Sequence, residues 1–284
     1  MGFTVIIPVF NGEDTLAQSL ESVSAQLRAP DEVILVNDGS TDNSLTIAEQ
    51  WKTSQAFRVD IITQQNQGLA AARNQGIIAA SSDYLAFLDD DDIWTAEKLL
   101  RCEQYLLAEA AELLFHSAET FGAQRSAYRE ANPVKKPEDL LLGGSNIIPS
   151  CVVLKTEVAR KFPFSTSAEF SLAEDLHLWL KLLQQNVRLE NLPESLCLYR
   201  ESGGISGDIS AHLKCVFAVL NYYHHQGLIS KKLLSKSIER KHYEAARYLH
   251  KRGDFGQARV HYQLADSSAK TQILELLDRL HIPL

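Results

Sequence analysis

Four consecutive aspartates, Asp89-Asp90-Asp91-Asp92, directly follow the apolar run Tyr84-Leu85-Ala86-Phe87-Leu88. Like charges packed together destabilise a fold unless something positive is bound. A hard divalent cation held by one or two carboxylates together with a diphosphate fits such a run. The spacing and glycine of an EF-hand calcium loop are absent. A solvated acidic loop is the plain alternative. The strand-like run before the aspartates and Ile93-Trp94 after them weigh against it. Two more polar residues stand at comparable places: Asn11 follows Phe3-Thr4-Val5-Ile6-Ile7, and Asp38 follows the segment from Glu32 to Val36.

The elements that must position these residues alternate in type. Apolar runs at 3–7, 32–36, 59–62 and 84–88 read as buried strands, the first ended by Pro8. Between them, Leu16, Leu20, Val23 and Leu27 recur at helical spacing. Asp42 can cap a helix that carries Leu45, Ile47 and Ala48. Residues Ala70 to Ala80 form a third helical stretch behind Gly68. This rhythm predicts an α/β fold with a mostly parallel sheet flanked by helices. In such sheets ligands bind outside the carboxyl ends of the strands. Asn11, Asp38 and the aspartates all fall there, which predicts one shared site.

Bulk properties narrow the function classes. The chain has 284 residues, 45% hydrophobic and 23% charged, as an ordinary globular protein does. Its net charge of −8 argues against nucleic acid as a partner. Residues 1–200 carry 16 Lys and Arg against 28 Asp and Glu, a balance of −12, whereas residues 201–284 carry 12 against 8, a balance of +4. The asymmetry marks off a C-terminal unit. Cys102, Cys151, Cys197 and Cys215 form no C-x-x-C pair, so they read as buried free thiols. The start of the chain lacks the basic region of a signal peptide, and no apolar stretch approaches the ~20 residues of a membrane span. A cytoplasmic location is the expectation.

Four segments in order, Pro8-Val9-Phe10-Asn11, Val36-Asn37-Asp38-Gly39-Ser40-Thr41-Asp42, Asn66-Gln67-Gly68-Leu69-Ala70-Ala71-Ala72-Arg73-Asn74 and Phe87-Leu88-Asp89-Asp90-Asp91-Asp92, resemble the signatures of family 2 glycosyltransferases. Glu174-Asp175, just before Leu176-His177-Leu178-Trp179-Leu180, looks like the family's Glu-Asp motif. The resemblance covers roughly residues 3 to 200. It implies the GT-A fold and inverting transfer from a nucleotide-diphospho-sugar, with a uridine donor as the commonest case. By matched positions, Pro8 and Phe10 line the base and ribose, and Asp38 accepts a hydrogen bond from the base. Asp90 contacts the ribose or diphosphate, and Asp91 binds Mg²⁺ or Mn²⁺. The register within the four aspartates is open by one residue, which keeps Asp89 and Asp92 in the set. Arg73 holds the diphosphate or is a surface cation. Glu13 contacts the donor or starts the first helix, where the dipole favours a carboxylate. Asp175 is the general base that inverting transfer needs, unless it is an ordinary acid at a helix start. Gly143 to Ser150 resembles the loop that closes under donor and acceptor. His177 is read as a helix-surface residue.

The expected domains are a GT-A unit over 1–205, with a nucleotide-sugar half to about 110 and an acceptor half over 111–205, and a helical extension over 206–284. Within the extension, Ala245 to Ala265 resembles one tetratricopeptide-type hairpin, and a further apolar stripe falls at 273–280. Between Lys231 and Arg259 there are 9 basic and 3 acidic residues. This face predicts contact with anionic membrane lipid, a lipid-diphosphate acceptor or a partner protein, with a solvated helix face as the alternative. A surface polysaccharide or glycolipid acceptor follows from the family's habits. The signatures of Rossmann dinucleotide enzymes and P-loop NTPases are absent. A noncatalytic nucleotide-sugar-binding scaffold that recruits a partner through its tail is the rival reading. Oligomeric state is not legible.

Overall fold

The apolar run at the start of the chain continues two residues further than Pro8 suggests, and the sheet shows why a proline is tolerated there. In the computed structural model, which describes residues 1–122, 127–144, 147–201, 208–265 and 274, strand β1 spans Phe3–Val9. It lies between β2 (Glu32–Asn37) and β4 (Tyr84–Phe87), parallel to both. Ile6 O accepts from Leu88 N on the β4 side, and Val9 O accepts from Asp38 N on the β2 side. By alternation Pro8 turns its nitrogen toward β4, whose pairing has already ended at Ile6–Phe87. The missing N–H therefore costs no ladder hydrogen bond.

Strand β3 (Arg58–Thr63) adds parallel to the outer side of β2. The crossovers are helices α1 (Leu16–Ser24), α2 (Ser44–Lys52) and α3 (Leu69–Ala79). Helix α1 stops before Leu27, which is 66% exposed. There the chain leaves the helix and Leu27 N donates to Ala96 O.

Beyond β4 the sheet turns mixed. The nine-stranded sheet runs β3-β2-β1-β4-β8-β6-β9-β5, with β7 (Tyr128–Arg129) against β6. Here β8 is Val152–Lys155, β6 is Leu113–Phe121, β9 is Leu189–Arg200 and β5 is Ile93–Trp94. Strand β8 is antiparallel to β4 and β6, whereas β6 and β9 are parallel. Helix α4 (Lys98–Ala108) follows β5. Helices α5 (Pro137–Leu142), α6 (Thr156–Lys161) and α7 (Glu174–Gln184) complete this part. One apolar cluster gathers Val5, Ile7, Leu16, Leu20 and Leu35, and the other gathers Ile6, Ile34, Phe87, Phe115 and Trp179. Alternate residues of β1 thus feed opposite faces of the sheet.

The chain divides into two compact units, residues 1–205 and 206–284. The second holds α8 (Ile209–His225), α9 (Lys231–Lys251) and α10 (Phe255–Leu264). Helices α9 and α10 form a hairpin about Ala246, Leu249, Ala258 and Tyr262, turned at Gly253 with φ 80°. The predicted stripe at 273–280 lies outside the described residues apart from position 274. All four cysteines are buried and free.

Candidate active site

The acid run lies where β4 ends, and each aspartate meets a different environment. Asp89 N donates to Ser150 Oγ at 3.0 Å, and Asp89 Oδ1 pairs with Arg73 Nη2 at 2.6 Å. Asp90 Oδ2 accepts from Phe10 N at 3.2 Å, which brings the end of β1 onto the acid turn. Gly12 closes the same contact, because a Cβ there would stand 2.6 Å from Asp90 Oδ2. Asp92 is fully buried and its Oδ1 accepts from Arg200 N at 2.9 Å. Burial pushes the Asp90 carboxyl up to about 7, opposed by the Phe10 N–H and reinforced by Asp91 and Asp89. Burial and the neighbouring Asp89 raise Asp91 to about 6, against the pull of Arg200. Asp92 is held well above the usual carboxylate range, first by burial and then by Asp89 and Asp91.

Arg73 is not a surface cation. It is 1% exposed, on α3, and its guanidinium bridges Asp89 and Glu174 Oε1, the latter at 2.8 Å. Desolvation alone would lower its pKa, yet the field of Asp89, Glu174 and Asp175 raises it. Glu174 and Asp175 open helix α7, so this one side chain ties the acid turn to the Glu-Asp motif across 101 residues of sequence. Asp175 Oδ1 accepts from Leu176 N at 2.6 Å. Burial pushes the Glu174 carboxyl upward, and Arg73 opposes it.

Asp38 and Glu13 take separate places. Asp38 is 3% exposed and accepts from Gln64 Nε2, Gln67 N and Gly68 N at 2.7, 2.9 and 2.8 Å. It fastens the loop that leads into α3. The turn chemistry at 37–40 belongs instead to Asn37, whose Oδ1 accepts from Ser40 N. Glu13 precedes α1, which has no acid in its first turn. Its Oε2 accepts from Asn43 N and Nδ2, at the start of α2 rather than α1. Pro8 is buried, and Phe10 is 45% exposed, with its N–H on the acid turn. His177 is not on the helix surface: it is 8% exposed and stacks on Phe170 at 4.7 Å, and burial lowers it to about 4. Of the loop at 143–150, Ser145 and Asn146 lie outside the described residues, while Ile147 and Ser150 are buried.

Two residues at the acid turn carry no signal in the sequence, and a third, Ser150, ends the loop at 143–150 singled out there. Arg200, at the end of β9, donates from Nε to Asp91 O at 2.8 Å and from Nη2 to Gln18 Oε1. Ser150 holds Asp89, and Tyr199 lies in the combined field of Asp92, Asp89, Asp91 and Asp175. No local motif marks Arg200 and Tyr199, because β9 reaches the aspartates only through its pairing within the sheet.

The residues fit a divalent metal. Of Asp89, Asp90 and Asp91, only Asp89 enters an ion pair among the described residues. Crowded, part-buried carboxylates without an ion-pair partner are the arrangement a cation relieves. Among the described residues no preassembled group of three or more Asp, Glu, His or Cys side chains forms a cage. A hard cation here would take one or two carboxylates and would leave the rest of its shell to diphosphate and water, as suits Mg²⁺ or Mn²⁺.

The model of Glycosyl transferase family 2 matches residues 4–158, more than half of the chain. The chain is a family 2 glycosyltransferase. This transferase is 30% identical over 184 residues to WfgD of Escherichia coli, a UDP-Glc:alpha-D-GlcNAc-diphosphoundecaprenol beta-1,3-glucosyltransferase, across 64% of this chain and 70% of that protein. Its fold is that of TarS from S. aureus in complex with UDP-GlcNAc, with a TM-score of 0.68, 16% identity, and 99% of this chain and 88% of that chain covered. Glucosyl-3-phosphoglycerate synthase from Mycobacterium tuberculosis, in complex with Mn²⁺, UDP and phosphoglyceric acid, shares it with a TM-score of 0.56 and 18% identity over 78% of both chains. The GT-A architecture of the transferase therefore stands.

Proposed function

We propose that the transferase moves a sugar, with inversion, from a UDP-sugar to an acceptor hydroxyl in surface polysaccharide or glycoconjugate synthesis. The observation that carries this reading is the buried Arg73 bridge, which brings the acid turn and the Asp175 helix to one place. In this reading residues 1–110 bind the donor, and residues 111–205 form the acceptor half. Pro8, Phe10 and Asp38 face the nucleoside, with the exposed Phe10 ring as its apolar platform. Asp89 and Asp90 face the ribose and diphosphate. Arg73 acts on the donor through Asp89. Glu13 supports the rim through Asn43.

Asp91 would hold Mg²⁺ or Mn²⁺, with Arg200 fixing its backbone carbonyl. When bound, the metal supplies Lewis-acid stabilisation of the departing diphosphate. Asp175 is the second residue of α7. It takes the proton of the acceptor hydroxyl as that oxygen bonds to the anomeric carbon and the bond to the diphosphate breaks. WfgD acts on a lipid-linked diphosphate acceptor by its name, and a glycolipid acceptor is proposed here too.

The second unit offers a matching surface. The first half of α9 buries Leu233 and Ser237 and turns Lys231, Lys232, Lys236 and Arg240 outward. Arg240 and Lys241 pair with Glu244, whereas Lys231, Lys232 and Lys236 enter no ion pair among the described residues. No helix among the described residues is long and apolar enough to cross a membrane. Peripheral contact with anionic lipid at the inner face is the proposed role of this face. Liposome co-sedimentation should fall when the three lysines are reversed to glutamate, and unchanged sedimentation overturns the lipid contact.

Calorimetric titration of UDP, GDP and dTDP with and without Mn²⁺ tests the donor reading. Metal-dependent binding of UDP that is lost in Asp91→Ala supports it. No binding of any nucleotide by the folded protein refutes it in favour of a noncatalytic scaffold.

A further inference from the structure

Lys98 begins helix α4 and is fully buried. A charged amine removed from water is destabilising unless it is paired and hydrogen-bonded. Among the described residues no carboxylate lies within ion-pair distance of it. Its Nζ donates to Ser150 O at 2.7 Å and sits 3.7 Å from the centroid of the Trp94 ring. The Trp94 indole Nε1 donates to the same carbonyl at 2.8 Å. The remaining neighbours are the buried thiols of Cys102, Cys151 and Cys197 and, beyond ion-pair distance, the Asp92 carboxyl of the acid turn. An apolar side chain would fill this place at lower cost, so the ammonium needs a reason.

Ser150 supplies one. It is itself fully buried, and its hydroxyl accepts from Asp89 N, the first residue of the acid turn. Its carbonyl is gripped by Lys98 and Trp94, and its side chain grips the turn. Trp94 is anchored independently, because its N–H donates to Ser22 Oγ. A chain of contacts thus runs from Lys98 through Ser150 to the backbone of Asp89. Arg73 holds the Asp89 side chain from the opposite direction.

We propose that Lys98 is a positioning residue of the donor–metal site: its buried ammonium fixes Ser150, and through Ser150 the backbone of the acid turn. The inference rests on the proposed reading of that turn as the donor–metal site. Groups that orient metal ligands commonly change metal affinity about 10–100-fold when lost. A lysine kept only for core stability behaves differently. Replacing it by an apolar residue of similar volume is then neutral or stabilising and leaves ligand binding alone.

The test is calorimetric binding of UDP in Mn²⁺ and in EDTA, with thermal unfolding, for wild type, Lys98→Met, Ser150→Ala and the double variant. Lys98→Met is expected to keep or raise Tm, to lose about 10–100-fold of the affinity for UDP in Mn²⁺, and to leave the affinity in EDTA unchanged. Ser150→Ala keeps the carbonyl that Lys98 holds and is expected to lose Mn²⁺-dependent affinity likewise. The double variant is expected to be no worse than the weaker single, as members of one chain of contacts are non-additive. Wild-type affinity in Mn²⁺ for Lys98→Met, or fully additive losses, overturns the proposal. Should Lys98→Met fail to fold, Ser150→Ala decides alone, and wild-type Mn²⁺ dependence in that variant overturns it. Wild-type protein that binds UDP equally in Mn²⁺ and EDTA overturns the donor–metal reading itself, and the role of Lys98 with it.

Discussion

Asp89, Asp90 and Asp91 are neighbours in sequence, and their surroundings divide the work among them. Asp89 is spoken for by Arg73 and Ser150, and Asp90 by the Phe10 N–H. Asp91 carries no ion pair among the described residues. The expected consequence is that Asp91→Asn removes metal-dependent binding. Asp175→Asn should retain nucleotide binding and lose roughly 10²–10⁴-fold in kcat, the usual range for a general base. Single-turnover assays beside calorimetry separate the two outcomes, and a weakened UDP affinity in Asp175→Asn would count against its assignment as base. Gly12→Ala should act like a partial loss of Asp90, because the new methyl meets Asp90 Oδ2. Its UDP affinity should fall with little change in Tm.

At the scale of elements, helix α3 is the member that matters most. It carries Arg73 into the site, its leading loop is fastened by Asp38, and Gly76 lets it approach β1. A Cβ on Gly76 would stand 2.4 Å from Ile6 Cγ2 in the central strand. Gly76→Ala gains about 1 kcal/mol of helix propensity. Overpacking against Ile6 costs about 1–3 kcal/mol, which outweighs it. Net destabilisation in urea unfolding is the expectation, accompanied by weaker donor binding as Arg73 shifts. A stabilised Gly76→Ala would show that the helix has room to move. Asp38→Ala leaves Gln67 N and Gly68 N without their acceptor and should loosen the same helix from its other end.

The molecule as a whole has a pH dependence set by opposing groups. Asp90 and Asp91 are raised in the folded state, to about 7 and about 6, mainly by burial. Between about pH 4 and pH 7 the folded protein therefore holds protons that the unfolded chain, with carboxyls near 3.9, has released. Their contribution to stability is present at low pH and is lost as pH rises through the folded values. His177, lowered to about 4, works in the other direction: its contribution is present above about 6.5 and is lost as pH falls. A cation at the acid turn competes with protons on the turn's carboxylates and not with His177. The rise in Tm produced by Mn²⁺ and UDP should hence be larger at pH 8 than at pH 5.5, and the difference cancels His177. At 100 times Kd the ligand stabilises by about 2.7 kcal/mol. That corresponds to a Tm shift of roughly 5–11 °C for a unit of this size. An equal shift at both pH values would exclude proton–metal competition at this turn.

Local pattern determined the strands of the first half, their crossover helices and the acidic turn, and the resemblance of short motifs pointed to the family, because all of these rest on contiguous runs and short fixed spacings. Asp89 to Asp92 and Glu174-Asp175 were legible for that reason. Only the tertiary structure decided what Arg73, Glu13 and His177 touch, since burial and partners arise from residues distant in sequence. Arg73 meets Glu174 across 101 positions, and Glu13 meets Asn43 across 30. The mixed second half of the sheet was equally hidden, because a short buried strand such as Val152–Lys155 reads the same in either direction. Lys98 and Arg200, and the hold of Ser150 on Asp89, became visible only when the fold brought three separate segments to one turn. Strand pairing is a long-range event that leaves no mark on any single window of sequence.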